Sequence, residues 1–366
     1  MLPPPTPAAF AGAQLSLFQS FLCNSDDERQ RLSNTIEFWD AVPKYFLSRK
    51  QMSAMRSAEG YLPKTRRRFD YLGRAFIVEI RPARITDQEG KEREYYPSVR
   101  EELVEDALRK IAAEQNHGFY EELSGGQRSG VVFSIYMLRK ELARRGHTVS
   151  YQQARESLYI LSDAKIEILS ADGACVIRSS VLPTLAGVSR TELQTDAKAR
   201  WYADFCPLVT DSIRALTYRQ YDYETMMQHS SQVGRWLHKR LAHNYVNASL
   251  MTPYTFLFSS VRRDSGLLGE DPGHAEPKAP QRYQRDRDAI RSLDLAIEEL
   301  RERRVLLSCE REEQKGARGR LTDVKYKVLA HPDFVKQVKA ANKRLSDARR
   351  TTALPNALGQ GREVQR

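Results

Sequence analysis

The chain has 366 residues, with 58 Lys and Arg against 47 Asp and Glu, a formal charge of +11. That length exceeds what one compact core usually occupies, so two domains plus tails are expected, and the positive balance fits a polyanionic partner such as nucleic acid or an acidic membrane surface about as well as a merely soluble basic protein. No stretch approaches the roughly 18 apolar residues of a membrane span and the start Met-Leu-Pro-Pro-Pro lacks a signal-peptide pattern, so a cytoplasmic location is expected. Cys23, Cys175, Cys206 and Cys309 stand far apart with no close pairs, so neither a zinc site nor a disulfide framework is indicated and they read as free thiols.

Residues 1–33 combine a Pro/Ala-rich run with one short apolar island, Leu15 to Leu22, too little to fold alone. They read as a flexible tail. Within it, Gln14-Leu15-Ser16-Leu17-Phe18 places a polar side chain ahead of three apolar anchors, the pattern of a peptide that orders on a partner. The alternative is that Leu15, Leu17 and Phe18 pack onto the chain's own core. Further on, Lys64-Thr65-Arg66-Arg67-Arg68 reads as a phosphate site or an exposed loop. Leu123-Ser124-Gly125-Gly126-Gln127 matches an ATPase signature, but no phosphate-binding loop accompanies it, so a linker is expected there.

A helix is expected over Val131 to Arg145, with Val131, Ile135, Leu138 and Leu142 on one face and Gly146 as its stop. Ser150 and Gln153 form a capping box for a second helix whose inward stripe is Ala154, Leu158 and Leu161. Lys165 to Leu169 and Cys175 to Ser179 then read as two strands around a tight turn. Helix, turn, helix and hairpin in that order define a winged helix-turn-helix. Its outward candidates for DNA contact are Tyr151, Gln152, Arg155 and Tyr159.

The order recurs after Pro207. Ser231 to Tyr245 reads as a helix with Val233, Trp236, Leu237 and Leu241 on one face, Thr255 to Arg263 as another, and Gly269 to Gln281 as a proline-rich loop. Tyr283 to Arg304 is expected as a long helix with Ile290, Leu293, Ile297 and Leu300 inward and Arg285, Arg287 and Arg291 outward. Val305 to Cys309 and the alternation Val324, Tyr326, Val328 read as strands around a charged loop, Glu310 to Arg320, whose Lys315, Arg318 and Arg320 are wing candidates. From Arg282 to Arg350 there are 19 basic and 12 acidic residues, although Asp286, Asp288 and Asp294 could instead pair with the helix arginines on a solvated face. His238 and His243, five apart, do not share a zinc-helix face and read as surface or groove-facing. Tyr218, Tyr221 and Tyr223 lack the metal-binding histidines of a nicking enzyme and read as packing residues.

These patterns give an α+β fold class: two tandem winged helix-turn-helix domains, 34–200 and 201–348, between a flexible N-terminal tail and a disordered 349–366 tail. The two copies, the peptide Gln14–Phe18 and the run Gly234-Arg235-Trp236-Leu237-His238-Lys239-Arg240-Leu241 resemble the winged-helix replication initiators of bacterial plasmids, the TrfA type in particular, over residues 14–345. The resemblance implies binding of double-stranded origin DNA at direct repeats (iterons), origin opening, and recruitment of the bacterial sliding clamp through Gln14–Phe18, with host helicase and host initiator as further partners. It also implies a homodimer when idle, no cofactor and no catalysis. The chain departs from that pattern in placing the peptide so early and in the length added at 269–281. A transcriptional regulator is the competing class, since winged helices serve repressors equally well.

Overall fold

In the computed structural model, residues 30–86, 90–113, 117–123, 126–187, 200–269, 279–316 and 319–359 are described. The peptide Gln14–Phe18, Arg318, the 270–278 part of the loop and Cys23 lie outside them. Strand β1 (Leu32–Ile36) and helices α1 (Glu37–Ala41) and α2 (Arg49–Met55) precede strands β2 (Thr65–Tyr71), β3 (Arg74–Arg81), β4 (Ala83–Thr86) and β5 (Glu92–Tyr95). Then come α3 (Val99–Ala113), β6 (Gly118–Leu123), β7 (Gly126–Ser134), α4 (Ile135–Arg144), α5 (Tyr151–Asp163), β8 (Lys165–Ser170) and β9 (Cys175–Ser179). β10 (Leu185–Gly187), β11 (Arg200–Asp204), α6 (Pro207–Ala215), β12 (Tyr218–Asp222) and α7 (Tyr223–Met227) complete this part of the chain. The remainder is α8 (Gln232–Asn244), β13 (Tyr254–Leu257), α9 (Phe258–Ser265), α10 (Ala279–Glu302), β14 (Leu306–Lys315), β15 (Leu321–Ala330) and α11 (Pro332–Gly359).

The architecture is mixed, helices packed on small antiparallel sheets. β2-β3-β8-β9 and β10-β11-β7-β6 form two four-stranded sheets, β13-β15-β14 a three-stranded one, and β1-β12 and β4-β5 form pairs. Two large apolar clusters take most of the buried apolar side chains, one running from Ile36 to Met227 and also taking Ala242, the other from Val233 to Val338, and a small third one joins Ala83, Ile160 and Ala164. Residues 201–227, placed by sequence in the second unit, pack into the first cluster, because β11 pairs with β7 and β12 with β1. The division therefore falls near residues 228–232. No helix among the described residues is long and apolar enough to cross a membrane.

Three expected helices differ. Val131 to Ser134 is strand, since the β-branched and aromatic run is hydrogen-bonded on both sides, by β6 and β11, and the helix starts only where the Ser134 hydroxyl accepts from Met137 N at 3.2 Å. Likewise Thr255 to Leu257 belongs to β13, where Phe256 stacks on Tyr326 at 5.4 Å across the ladder, and the helix begins at Phe258. α10 starts at Ala279 and stops at Glu302, two residues before Arg304. Of the expected linker Leu123–Gln127, the described residues are strand, with Leu123 paired to Gly126 and Gln127 to Glu122. The expected loop over Glu310 to Arg320 is strand as far as Lys315, because alternate charges pair across the hairpin, Glu310 with Lys327 at 3.2 Å and Glu312 with Lys325 at 3.6 Å. Finally, α11 continues to Gly359 through the segment expected to be a disordered tail, and Arg349 donates to Leu216 O at 3.4 Å.

Candidate nucleic-acid interface

α5 owes its start to the expected capping box: Ser150 Oγ accepts from Gln153 N at 3.1 Å and Gln153 Oε1 accepts from Ser150 N at 2.9 Å. Its buried face is Ala154, Ser157, Leu158, Ile160 and Leu161. Opposite, Gln152 and Tyr159 are exposed and Tyr151 and Arg155 half-buried. The Arg155 guanidinium lies 5.9 Å from the centre of the Tyr159 ring, which in turn lies 6.5 Å from Trp201. Of the two carboxylates on this helix, Asp163 ends it and Glu156 is neutralised by Arg100 at 3.0 Å and Arg49 at 3.4 Å, so Glu156 does not oppose an approaching phosphate. Directly after the helix, β8 and β9 form a hairpin whose turn is held by Asp172, accepting from Ala174 N at 3.1 Å.

α10 repeats the arrangement. Ala289, Ile290, Leu293, Ala296, Ile297 and Leu300 are buried, while Arg287 and Arg291 are exposed and Arg285 is half-buried. Arg287 lies 5.9 Å from the centre of the Tyr283 ring. The interleaved carboxylates turn to other elements: Asp286 accepts from Arg262 at 2.7 Å, and Asp294 accepts from Tyr326 Oη at 2.6 Å. Asp288 accepts from Gln284 at 3.0 Å. Among the described residues no carboxylate pairs with Arg291, so its charge faces solvent. On the following hairpin the shaft is charge-balanced by its cross-strand pairs. Lys315, 3.5 Å from Glu313, and Arg320 are exposed at its tip.

The arginine run at 64–68 is neither loop nor uniformly exposed. β2 alternates, so Arg66 and Arg68 point outward while Arg67 is buried, 5.1 Å from the centre of the Phe46 ring and donating to Arg262 O at 3.3 Å. His238 and His243, expected at the surface, are buried. His238 Nδ1 lies 3.0 Å from His229 Nε2, and His243 Nε2 lies 2.9 Å from Thr35 Oγ1. Tyr218, Tyr221 and Tyr223 are buried too. Cys175, Cys206 and Cys309 are free, and burial pushes the Cys206 thiol up to about 12.

Sequence reasoning missed a buried ionic network between α3 and α8. Arg109 donates to both oxygens of Asp40 (2.9 and 2.8 Å) and to Asp106 at 2.9 Å; Lys239 donates to Asp106 at 2.6 Å and lies 3.6 Å from Glu102. Glu105 accepts from Trp39 Nε1 at 2.7 Å and from the Tyr45 hydroxyl. Burial opposes ionisation of Asp40, yet Arg109, Lys239 and Lys44 outweigh it and hold the carboxyl below its ordinary range. A signal was present: Glu102 with Asp106, and Arg235 with Lys239, are each spaced i,i+4.

No protein-family model and no curated protein matches the chain. Solved structures with a similar arrangement include domains 2 and 3 of RctB, at 11% identity and a TM-score of 0.41 over 76% of this chain and 95% of that one. A second structure of RctB domains 2–3 aligns at 12% identity and a TM-score of 0.40, over 78% and 97% of the two chains. The Pi initiator protein in complex with iteron DNA aligns at 14% identity and a TM-score of 0.43, over 64% and 91%.

Proposed function

We propose that the two units are tandem winged-helix domains and that the chain is a plasmid-type replication initiator, binding repeated origin sequences as duplex DNA without chemistry of its own. One observation carries the reading: twice, a helix with one buried face runs directly into an antiparallel hairpin and leaves aromatic, amide and arginine side chains outward, Gln152, Arg155 and Tyr159 on α5 and Arg287 and Arg291 on α10. In the second unit the order α8, β13, α9, α10, β14, β15, with β13 closing the hairpin into one sheet, supports the winged-helix reading. Such a helix reads base edges in the major groove while the hairpin steadies the backbone. The tail peptide Gln14–Phe18 is proposed to hold the sliding clamp, and the initiator is proposed to be a homodimer when idle and a monomer at its repeats.

Duplex fragments enriched from a random library should bind with an affinity that falls steeply with salt. Replacing Arg291 by Ala should cost about 1–3 kcal/mol if it reads a base, and replacing Arg287 by Ala should flatten the salt slope by about one if it meets a phosphate. Binding unchanged in both variants would remove α10 from the interface. Leu17→Ala with Phe18→Ala should abolish retention on an immobilised bacterial sliding clamp while leaving DNA binding intact. Equal retention of variant and wild type rejects the peptide. Supplying the gene in trans to a fragment carrying the enriched repeats separates the two classes: an initiator sustains replication of the fragment, a transcriptional regulator only occupies it.

A further inference from the structure

Helix α8 is shared by the two apolar clusters, giving Val233, Leu237 and Leu241 to one and Ala242 to the other. The side it turns to the first unit also carries Arg235 and Lys239, one helical turn apart, and α3 meets them with Glu102 and Asp106, again one turn apart. Lys239 Nζ is 2.6 Å from Asp106 and 3.6 Å from Glu102, and Arg235 is 3.7 Å from Glu102. All four side chains are buried. A smaller polar bracket lies where α9 meets β2: Arg263 pairs with Asp70 at 3.1 Å, and Asp264 accepts from Asp70 N at 3.1 Å. Gly266 there has φ 72°, and a Cβ on it would sit 2.7 Å from Arg67 Nε, so the two units approach closely.

Buried ion pairs are poor sources of stability, since apolar residues of the same volume often serve as well; what they add is a unique register. A slip of one turn would carry α8 along α3 by about 5.4 Å and leave Lys239 off its carboxylates. On duplex DNA, at about 3.4 Å per base pair, that displaces α10 relative to α5 by roughly one and a half base pairs.

We propose that Lys239 with Asp106 and Glu102 is a positioning group that sets the distance between the two DNA-facing helices, and so the spacing between half-sites that the chain accepts. The proposal rests on the DNA reading above and asks more of it. Its test is the charge-neutral double variant Lys239→Met with Asp106→Leu in the full chain, which leaves Glu102 its Arg235 partner and Arg109 its Asp40 partner. The probes are a duplex enriched on wild type from a random library and the same duplex with two base pairs inserted between its two protected segments. Wild type should lose about tenfold or more on insertion and the variant less than about threefold, with near-equal affinity for the parent duplex. Equal losses overturn the positioning role while leaving DNA binding in place; failure of wild type to enrich any duplex overturns the DNA reading and the spacing role with it. Should the double variant not fold, Asp70→Asn with Arg263→Gln, at the more exposed bracket, is to show the same relaxation. A readout free of DNA completes the test: nitroxides at Arg155→Cys and Arg291→Cys, with Cys23, Cys175 and Cys309 replaced by Ser, should give one narrow distance in wild type and a broader distribution with Lys239→Met and Asp106→Leu. An unchanged width overturns the proposal.

Discussion

Replacing Arg109 by Met should lower the free energy of unfolding by about 3–5 kcal/mol, the largest effect expected of any single polar substitution in the first unit. The guanidinium is 7% exposed and carries the charge balance of three carboxylates, donating to both Asp40 oxygens and to Asp106 and lying 3.8 Å from Glu105. Burial opposes its charge, but Asp40, Glu105 and Asp106 prevail and raise its pKa well above the ordinary value. Methionine fills a similar length and removes the charge, so Lys44, Lys239 and Arg235 are left to balance Asp40, Glu102, Glu105 and Asp106 in a buried site. Arg109→Lys keeps the charge and loses the bidentate geometry, so an intermediate cost of about 1–3 kcal/mol is expected. Arg68→Ala on the outer face of β2 should stay within about 0.5 kcal/mol and serves as the control. Urea unfolding followed by tryptophan fluorescence reads all three, and a loss below about 1 kcal/mol for Arg109→Met would mean that these carboxylates are hydrated or protonated rather than paired.

What could be read from the sequence was what local rules decide. The capping box at Ser150 and Gln153, the stripe Ile290, Leu293, Ile297 and Leu300, the glycine stop at Gly146 and the alternation Val324, Tyr326, Val328 all lie within a few residues of their cause. Val131 to Ser134 was misread because its apolar residues fit a helix period as well as a strand period, and only β6 and β11, one nearby and one some seventy residues on, decide between them. Thr255 to Leu257 failed for the same reason, its partner β15 lying beyond two helices. The charged run Glu310 to Lys315 looked like a loop because charge was taken for exposure at a turn; on a two-stranded ribbon both faces can be wet, and opposite charges across the ladder stabilise it. The division between units was misplaced because β1 and β12, nearly two hundred residues apart, pair to close the first one. The outward residues of α5 and α10 were legible because helix geometry fixes them once the buried stripe is known. The ionic contact between α3 and α8 was not, since nothing in either helix names the other as its partner.

The histidines offer a separate measurement. His243 is buried with its tautomer determined: the Thr35 hydroxyl spends its proton on Asp40 at 2.6 Å, so it can only accept from His243, whose Nε2 must carry the hydrogen. Nδ1 then stays unprotonated, and burial lowers the imidazole pKa to about 4, with Asp40 opposing the shift and Arg219 and Arg109 adding to it. His229 is lowered to about 3 by burial, helped by Arg303 and Arg235, and His238 well below its ordinary value by burial and by His229 beside it. All three therefore have folded values under the unfolded value of about 6.5, so between pH 6.5 and 5 the unfolded chain takes up protons that the folded chain refuses. Stability is complete above about 6.5 and falls as the pH drops, by about 2 kcal/mol at pH 5 for each imidazole that stays neutral. Asp40, lowered from an ordinary 3.8, costs stability only further into acid, whereas burial raises Asp106, Asp163, Asp204 and Asp222, which take up protons in the fold and oppose the histidines as the pH drops. His243→Gln, whose amide can still donate to Thr35, should lower the slope of unfolding free energy against pH across the window by about one proton, ~1.4 kcal/mol per pH unit. Identical slopes in the two proteins would show that this imidazole is charged within the fold or reached by solvent, and the packing of α8 against β1 would then be looser than its 2.9 Å contact implies.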